Sequence, residues 1–365
     1  SGKRGIALRL GGLAVGIAVV AGCSGSGASW TPVSGFPDAG GAMLVSVAAG
    51  PASFVTVGTA PAAGETNHAA IWTSPDGKSW TRSADDPSFS QHLMNSVASG
   101  PSGFMAVGGS CASGECFDET VWTSTDGQTW HQAAPLPVEA TYVAVTRAVV
   151  AGGPGWIVGG WRSGDPQDAP AAVWTTVDGT SWTEGTIEVP ADATLGGTVG
   201  GIAVSRGTDV AVGTVKSATS RSAAVWTSAD STTWKPVPAD ASFTGSLMSG
   251  VVVGGPGFVA VGRDDSGAAV WVSTDGSSWK EDPSGPGFAG AQMSEIAAHA
   301  GRLVAVGYDG NTALVWTSTD GVTWSQSSPA SDMAGAQAIG VAVGASADVV
   351  VGSTSDTAKA WTGSH

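Results

Sequence analysis

Short apolar runs separated by Gly, Pro and Ser-Asp-Gly clusters fill most of this chain, and their periodicity is that of strands. Apolar positions either alternate or run continuously for a few residues, and no long stretch carries a helical repeat. Four runs recur in a fixed order. The first, as in residues 43–49 or 247–253, is apolar with small residues, as expected of a strand crowded at a central axis. A turn such as Gly100-Pro101-Ser102-Gly103 leads to a second run ending in Val-Gly or a close variant, at Gly58, Gly108, Gly159, Gly213, Gly262, Gly307 and Gly352. The third run carries a Trp, a Ser-x-Asp-Gly segment follows, and the fourth run carries a second Trp.

The Trp pairs set the period. First Trp residues stand at 72, 122, 174, 226, 271, 316 and 361, so successive units are 45 to 52 residues long. Fourteen of the sixteen Trp belong to the pattern, Trp156 and Trp161 being the exceptions. A four-strand unit repeated at this interval is the signature of a propeller blade. Six units are complete, and the seventh ends after its third strand. Ala28-Ser29-Trp30-Thr31-Pro32 matches Lys78-Ser79-Trp80-Thr81-Arg82 and supplies the missing fourth strand. The expected fold is therefore all-β: a single β-propeller over residues 28–365 with seven four-stranded blades, the last closed by the N-terminal strand.

Composition sharpens this reading. The chain has 365 residues, of which 55 are Gly and only 12 % are charged, which disfavours long solvated helices. Residues 1–22 read as a signal peptide: Lys3, Arg4 and Arg9 form a basic start, and an apolar stretch too short to span a bilayer follows. It ends in Val20-Ala21-Gly22-Cys23, which resembles the lipobox of bacterial lipoproteins. That resemblance implies lipid on Cys23, a short tether over residues 23–27, and an extracytoplasmic protein anchored to the cell membrane through lipid alone. An ordinary secretory signal is the alternative.

Without this leader, three of the 15 basic residues and none of the 30 acidic ones are lost, leaving a net charge of −18. Nucleic acid and anionic headgroups are disfavoured as partners of so acidic a surface. Cys111 and Cys116, close together in an exported chain, are expected to form a local disulfide.

The block Ser-x-Asp-Gly-x-Ser/Thr-Trp resembles the Asp-box, or BNR repeat, of sialidases, some glycoside hydrolases, sortilin-type receptors and photosystem assembly factors. Here it is one residue shorter than the family's pattern. The resemblance implies a sialidase-like propeller whose working face lies opposite these turns. The Asp residues themselves, Asp76, Asp126, Asp178, Asp230, Asp275 and Asp320, have a structural explanation. A carboxylate in a tight turn accepts backbone N–H groups, and Gly tolerates the positive φ. The fourth unit carries Ser231 in place of this Gly, so its turn is expected to be the least comfortable.

Chemistry beyond the turns is sparse. A sialidase needs arginines for a carboxylate, a Tyr–Glu pair and an acid; Tyr142, Glu295 and Arg147 are the residues that would have to meet across the axis. The five His show no ligand spacing, and Asp165, Asp168 and Asp264-Asp265 read as solvated turns rather than calcium loops. No cofactor or metal is expected. Trp161, assigned to a connection between second and third strands, is with Arg162 the favoured contact pair. Two functions remain: a monomeric binding or scaffold module for a protein or glycan, and a divergent glycoside hydrolase acting at the axis. The fourth strand of a blade leaves the Asp-box face, and six residues separate Cys23 from Trp30. A tether of roughly 20–25 Å would then turn that face to the membrane.

Overall fold

The computed structural model describes residues 29–363 except 63, 66–67, 112–117, 139–141, 164–168, 191–192 and 283–284. The expected leader and Cys23 lie outside the described residues, as do Cys116, Asp165 and Asp168.

Seven antiparallel sheets form seven blades, each with its innermost strand first in sequence. Blade 6 is representative: Gln292–His299, Arg302–Asp309, Thr312–Ser318 and Ser325–Gln326. Blade 4 gains a fifth strand, Thr186–Ile187, which lies parallel to Thr233–Pro236. In blade 7 the order is Gln337–Val343, Asp348–Ser353, Ala358–Gly363 and then Trp30–Pro32. Trp30 pairs with Gly363 and Pro32 with Trp361, so the ring is closed by a strand from the opposite terminus. Two kinds of connection define two faces. The first-to-second and third-to-fourth turns share one, here the turn face, and the longer connections share the other, the loop face.

The core is divided among the blade interfaces. Seven hydrophobic clusters fill the described interior, each formed by residues of two neighbouring blades. The first Trp of every unit is completely buried in such a wedge. Most of the indole N–H groups are satisfied locally: Trp122 Nε1 donates to Ser88 Oγ at 3.0 Å and Trp361 Nε1 to Asp332 Oδ1 at 2.7 Å. Trp30 joins Trp361 in the cluster between blades 6 and 7, taking the place of the absent second Trp.

The repeated turns hold the outer strands in register without any ligand. Ser74 Oγ accepts the Gly77 N–H at 2.8 Å, Asp76 Oδ1 accepts the N–H groups of Lys78 and Ser79 at 2.8 Å, and Trp80 Nε1 donates to Gly77 O at 2.9 Å. The carboxylate-centred part recurs at Asp126, Asp230, Asp275 and Asp320. Blade 3 departs from it: Asp178 accepts from Thr180, and Trp182 Nε1 reaches Ala134 O of the neighbouring blade.

The expected discomfort at Ser231 has a specific remedy. Its φ is 63°, costly for a residue with a Cβ, and its buried hydroxyl donates to Asp209 Oδ2 at 2.6 Å. Asp209 stands opposite Ser228, at the position where other blades carry Phe54, Phe104 or Phe258. Blade 7 carries Asp348 at the same position, ion-paired with Arg302; burial nevertheless pushes its carboxyl up to about 6, against the pull of Arg302 and His299.

Removing residues 30–32 is expected to abolish the single cooperative melt, and Trp30→Ala alone to cost about 3–5 kcal/mol, measured by calorimetry. Backbone N–H groups hold the carboxyls of Asp275 and Asp320 down to about 2 from 3.8. Their contribution is complete above the unfolded value and is lost as the pH falls toward the folded one. The melting temperature should therefore drop between about pH 4 and pH 2, and less so in the Asp275→Asn, Asp320→Asn double variant.

Candidate functional site: the axial channel and its loop-face mouth

The innermost strands share an irregularity that shapes the axis. In each blade the pairing of first and second strands slips by one residue, leaving an extra residue on the inner strand: Val45, Asn95, Arg147, Gly200, Ser249, Ser294 and Ile339. Such a bulge re-aims side chains and requires room on its partner. A Gly faces it every time. A Cβ on Gly307 would overlap Gln292 O, and one on Gly160 would overlap Val145 O. Blade 3 thus uses Gly160 in this role and not Gly159, because Gly160 pairs with Thr146 beside the bulge.

The bulges line a channel of about 790 Å³ with walls from all seven blades. Toward the turn face its lining is small and apolar, with Ala49, Val150, Val252, Ala298 and Val343. Toward the loop face it turns polar, with Gln292, Tyr308, Gln337 and Arg263. Arg263, Gln292 and Tyr308 also line a groove of about 250 Å³ containing Asp264 and Asp265, so channel and groove are continuous. Asp264 Oδ1 is occupied by the N–H groups of Ser266 and Gly267 at 2.7 and 2.8 Å.

Three charged residues stand on the channel wall: Arg147, Arg263 and Glu295. Glu295 follows the bulge of blade 6, and its Oε2 accepts the Val341 N–H of blade 7 at 3.3 Å. Water reaches part of its surface, but the crowding of inner strands strips most of its hydration and pushes the carboxyl up to about 8; the Val341 N–H opposes this weakly.

The residues singled out in the sequence are distributed over two places. Arg147 and Glu295 lie on the channel wall, but Tyr142 does not join them. Its ring packs under the Arg162 guanidinium, 5.5 Å from centroid to Cζ, and Arg162 lies 3.5 Å from Glu184. The tyrosine on the wall is Tyr308. Trp161 is not in a connection. It lies within Gly155–Ser163, paired with Val145 and Ala171 and half-buried, because the strand runs on until Arg162 N–H bonds Pro170 O at 2.9 Å. Cys111 is buried and disulfide-bonded. Glu65 and His68 are joined at 2.9 Å, and Glu65 also accepts from Ser90 and Gln91, tying the loops of blades 1 and 2. Arg263 and Tyr308 were not singled out as site residues. Their signal in the sequence is their place immediately after the Val-Gly that ends a second strand.

Comparison with known proteins agrees with the architecture. Residues 228–365 match the DUF6242 beta propeller domain. No curated protein matches. Among solved structures, YCF48 bound to D1 peptide aligns over 93 % of this chain and 95 % of its own with 16 % identity and a TM-score of 0.59. Phage phi92 endosialidase aligns over 93 % and 69 % with 10 % identity and a TM-score of 0.51. The β-propeller domain of the Trilobed protease from Pyrococcus furiosus, described as having an open velcro topology, aligns over 88 % and 95 % with 9 % identity and a TM-score of 0.53. These likenesses show a β-propeller.

Between about pH 4.5 and pH 8 the folded chain holds a proton on Glu295 that the unfolded chain has released, so stability falls as the pH rises through that window. Glu295→Gln should match the parent protein near pH 4 and exceed it by roughly 4 kcal/mol above pH 8, read from melting temperature against pH.

Proposed function

We propose that this protein is an extracytoplasmic binding module, tethered through lipid on Cys23, that captures a polypeptide partner with its loop face. The observation carrying this reading is the continuous channel mouth and groove on that face, where Arg263, Gln292 and Tyr308 present polar groups toward solvent on a rigid scaffold. Trp30 pairs with Gly363 at the turn-face end of blade 7. A tether on Cys23 would therefore hold the turn face to the membrane and leave the loop face free. YCF48, similar over almost its full length, is a propeller seen with a bound peptide. In this reading the repeated turns are shortened Asp-boxes with a structural role, and Cys116 closes the disulfide with Cys111.

A polypeptide fits better than a glycan. Sugar rings are commonly held on flat, exposed aromatic faces, whereas the exposed large apolar side chains among the described residues are Met43, Val177, Val189, Val253 and Val322. One feature favours the glycoside hydrolase alternative: Glu295 keeps its proton at neutral pH, as a general acid must. The two-carboxylate mechanism requires a partner for it. Among the described residues, Glu295 is the carboxylate on the channel wall.

Crosslinking and pull-down from intact cells tests the reading. Arg162→Ala with Trp161→Ala, or Arg263→Ala with Tyr308→Ala, should lower partner recovery about tenfold while the melting temperature stays within a few degrees. Cys23→Ala should abolish lipid labelling and release the protein or leave it as an unprocessed precursor. Recovery that responds instead to substitutions at Pro101 or Pro256 on the turn face would overturn the assignment.

A further inference from the structure

The outer Trp of a blade is held by its turn. Trp80, Trp130, Trp234, Trp279 and Trp324 each donate Nε1 to the carbonyl of the residue three positions earlier, and Trp182 reaches a carbonyl of the neighbouring blade. Except for Ser231 that earlier residue is Gly, with positive φ, and a Cβ on Gly77 would come within 2.6 Å of Val349 in the preceding blade. In blades 1, 2, 3, 5 and 6 the N–H of this Gly is accepted by a Ser or Thr hydroxyl of the third strand, as Ser74 accepts Gly77 N–H.

Blade 7 differs. Its third and fourth strands come from distant parts of the chain, so no continuous turn joins them. Gly363 stands where the other third strands carry Ser or Thr, and it pairs with Asp348 on one side and Trp30 on the other. Trp30 and Asp348 are 5 % and 1 % exposed, and neither Trp30 Nε1 nor Asp348 Oδ1 has a hydrogen-bond partner; Asp348 Oδ2 meets Arg302. A buried donor and a buried acceptor thus stand on either side of Gly363, where the other blades bind a single turn residue by its carbonyl and its N–H.

We propose that the segment preceding Trp30 completes the seventh turn, with Gly27 giving its carbonyl to Trp30 Nε1 and its N–H to Asp348 Oδ1. Residues before Ser29 lie outside the described ones, and two features select this occupant. Ser26-Gly27-Ala28-Ser29-Trp30 matches Asp76-Gly77-Lys78-Ser79-Trp80 in its Gly, second Ser and Trp, so Gly27 falls three residues before Trp30. The pair Asp348 and Gly363, in place of Phe54 and Ser74, moves the acceptor for the turn N–H from the third strand to the second. A carboxylate accepts a backbone N–H strongly, and each buried polar atom that gains a partner recovers the cost of its desolvation. Three residues of covalent connection also give this segment an advantage over any other chain. Resting on the tether reading, the completed turn leaves Ser24 and Gly25 as the free link. Lipid on Cys23 is then fixed within roughly 10 Å of the turn and holds the turn face against the bilayer.

The test uses the full chain in detergent with isotope-labelled tryptophan, the Trp30 indole signal being identified by its loss in Trp30→Phe. In the parent protein this N–H should exchange at least about tenfold more slowly than in Gly27→Pro, which has no N–H and cannot adopt a positive φ. Gly27→Pro should lower the melting temperature by about 3–8 °C, and Ser24→Pro should leave it unchanged. In an Asp348→Phe background, which restores the residue type of blades 1, 2 and 5, the shift caused by Gly27→Pro should fall by at least about half. The same shifts are expected in Cys23→Ala, which removes the lipid and not the turn, so failure of the tether reading is told apart from failure of the turn. Equal indole exchange in parent and Gly27→Pro, a Gly27→Pro variant that melts like the parent, or equal damage from Ser24→Pro would overturn the proposal. Protection lost on dilution would assign the place to a second copy of the chain and overturn it as well. Partner capture at the loop face is read separately and does not depend on the result.

Discussion

Every blade of this protein is stabilised by its neighbours, and the interaction that does it is the burial of tryptophan in the wedge between adjacent sheets. A blade is a thin antiparallel sheet with two apolar faces and cannot cover either alone. The first Trp of each unit fills the gap to the preceding blade, and the second Trp closes the rim behind a turn held by a carboxylate. The arrangement has a strict requirement. A seventh blade without its outer strand would leave one wedge open and one edge unpaired, and Trp30–Pro32 supplies both the strand and the ring that fills the wedge. Closure from the opposite terminus therefore couples the two ends of the chain and makes the ring one cooperative unit.

At the axis a different constraint operates. Seven inner strands converge where there is little space, and each relieves the crowding with a one-residue bulge opposite a Gly. The bulge and its Gly are invariant among the blades, but the side chain at the bulge is not. The backbone is secured by the Gly, so that side chain is free to serve chemistry: aliphatic in blades 1 and 7, amide in blade 2, guanidinium in blade 3, hydroxyl in blades 5 and 6. A sevenfold scaffold thereby presents an asymmetric wall. The same division of labour shows in blade 4, where Ser231 in a glycine position is tolerated because Asp209, in an aromatic position, accepts its hydroxyl.

The propeller supports unrelated activities in its structural relatives, so function has to be argued from the channel and its mouth. There the geometry separates residues that looked like partners and joins others. Tyr142 belongs with Arg162 and Glu184 at the top of blade 3, while Arg147, Arg263, Glu295 and Tyr308 share the channel. That grouping puts two cations and a desolvated carboxyl on the wall of one water-accessible channel.

Blade number, strand order, the turn chemistry and the terminal closure were all legible in the residues, because each follows from a local pattern. Trp spacing, Ser-x-Asp-Gly turns and the matching fragment around Trp30 repeat with a period that no other architecture explains. Local pattern could not say where a strand ends when its neighbours continue it. Trp161 looked like loop because it follows two glycines, yet Gly160 faces the bulge and the strand passes through both. Nor could it say which side chains from blades 3, 5 and 6 meet on one wall, or that Glu295 would lose its hydration there. Those facts depend on the number of blades and their tilt about a common axis, and distance across an axis is set by the closed ring and not by any segment of the chain.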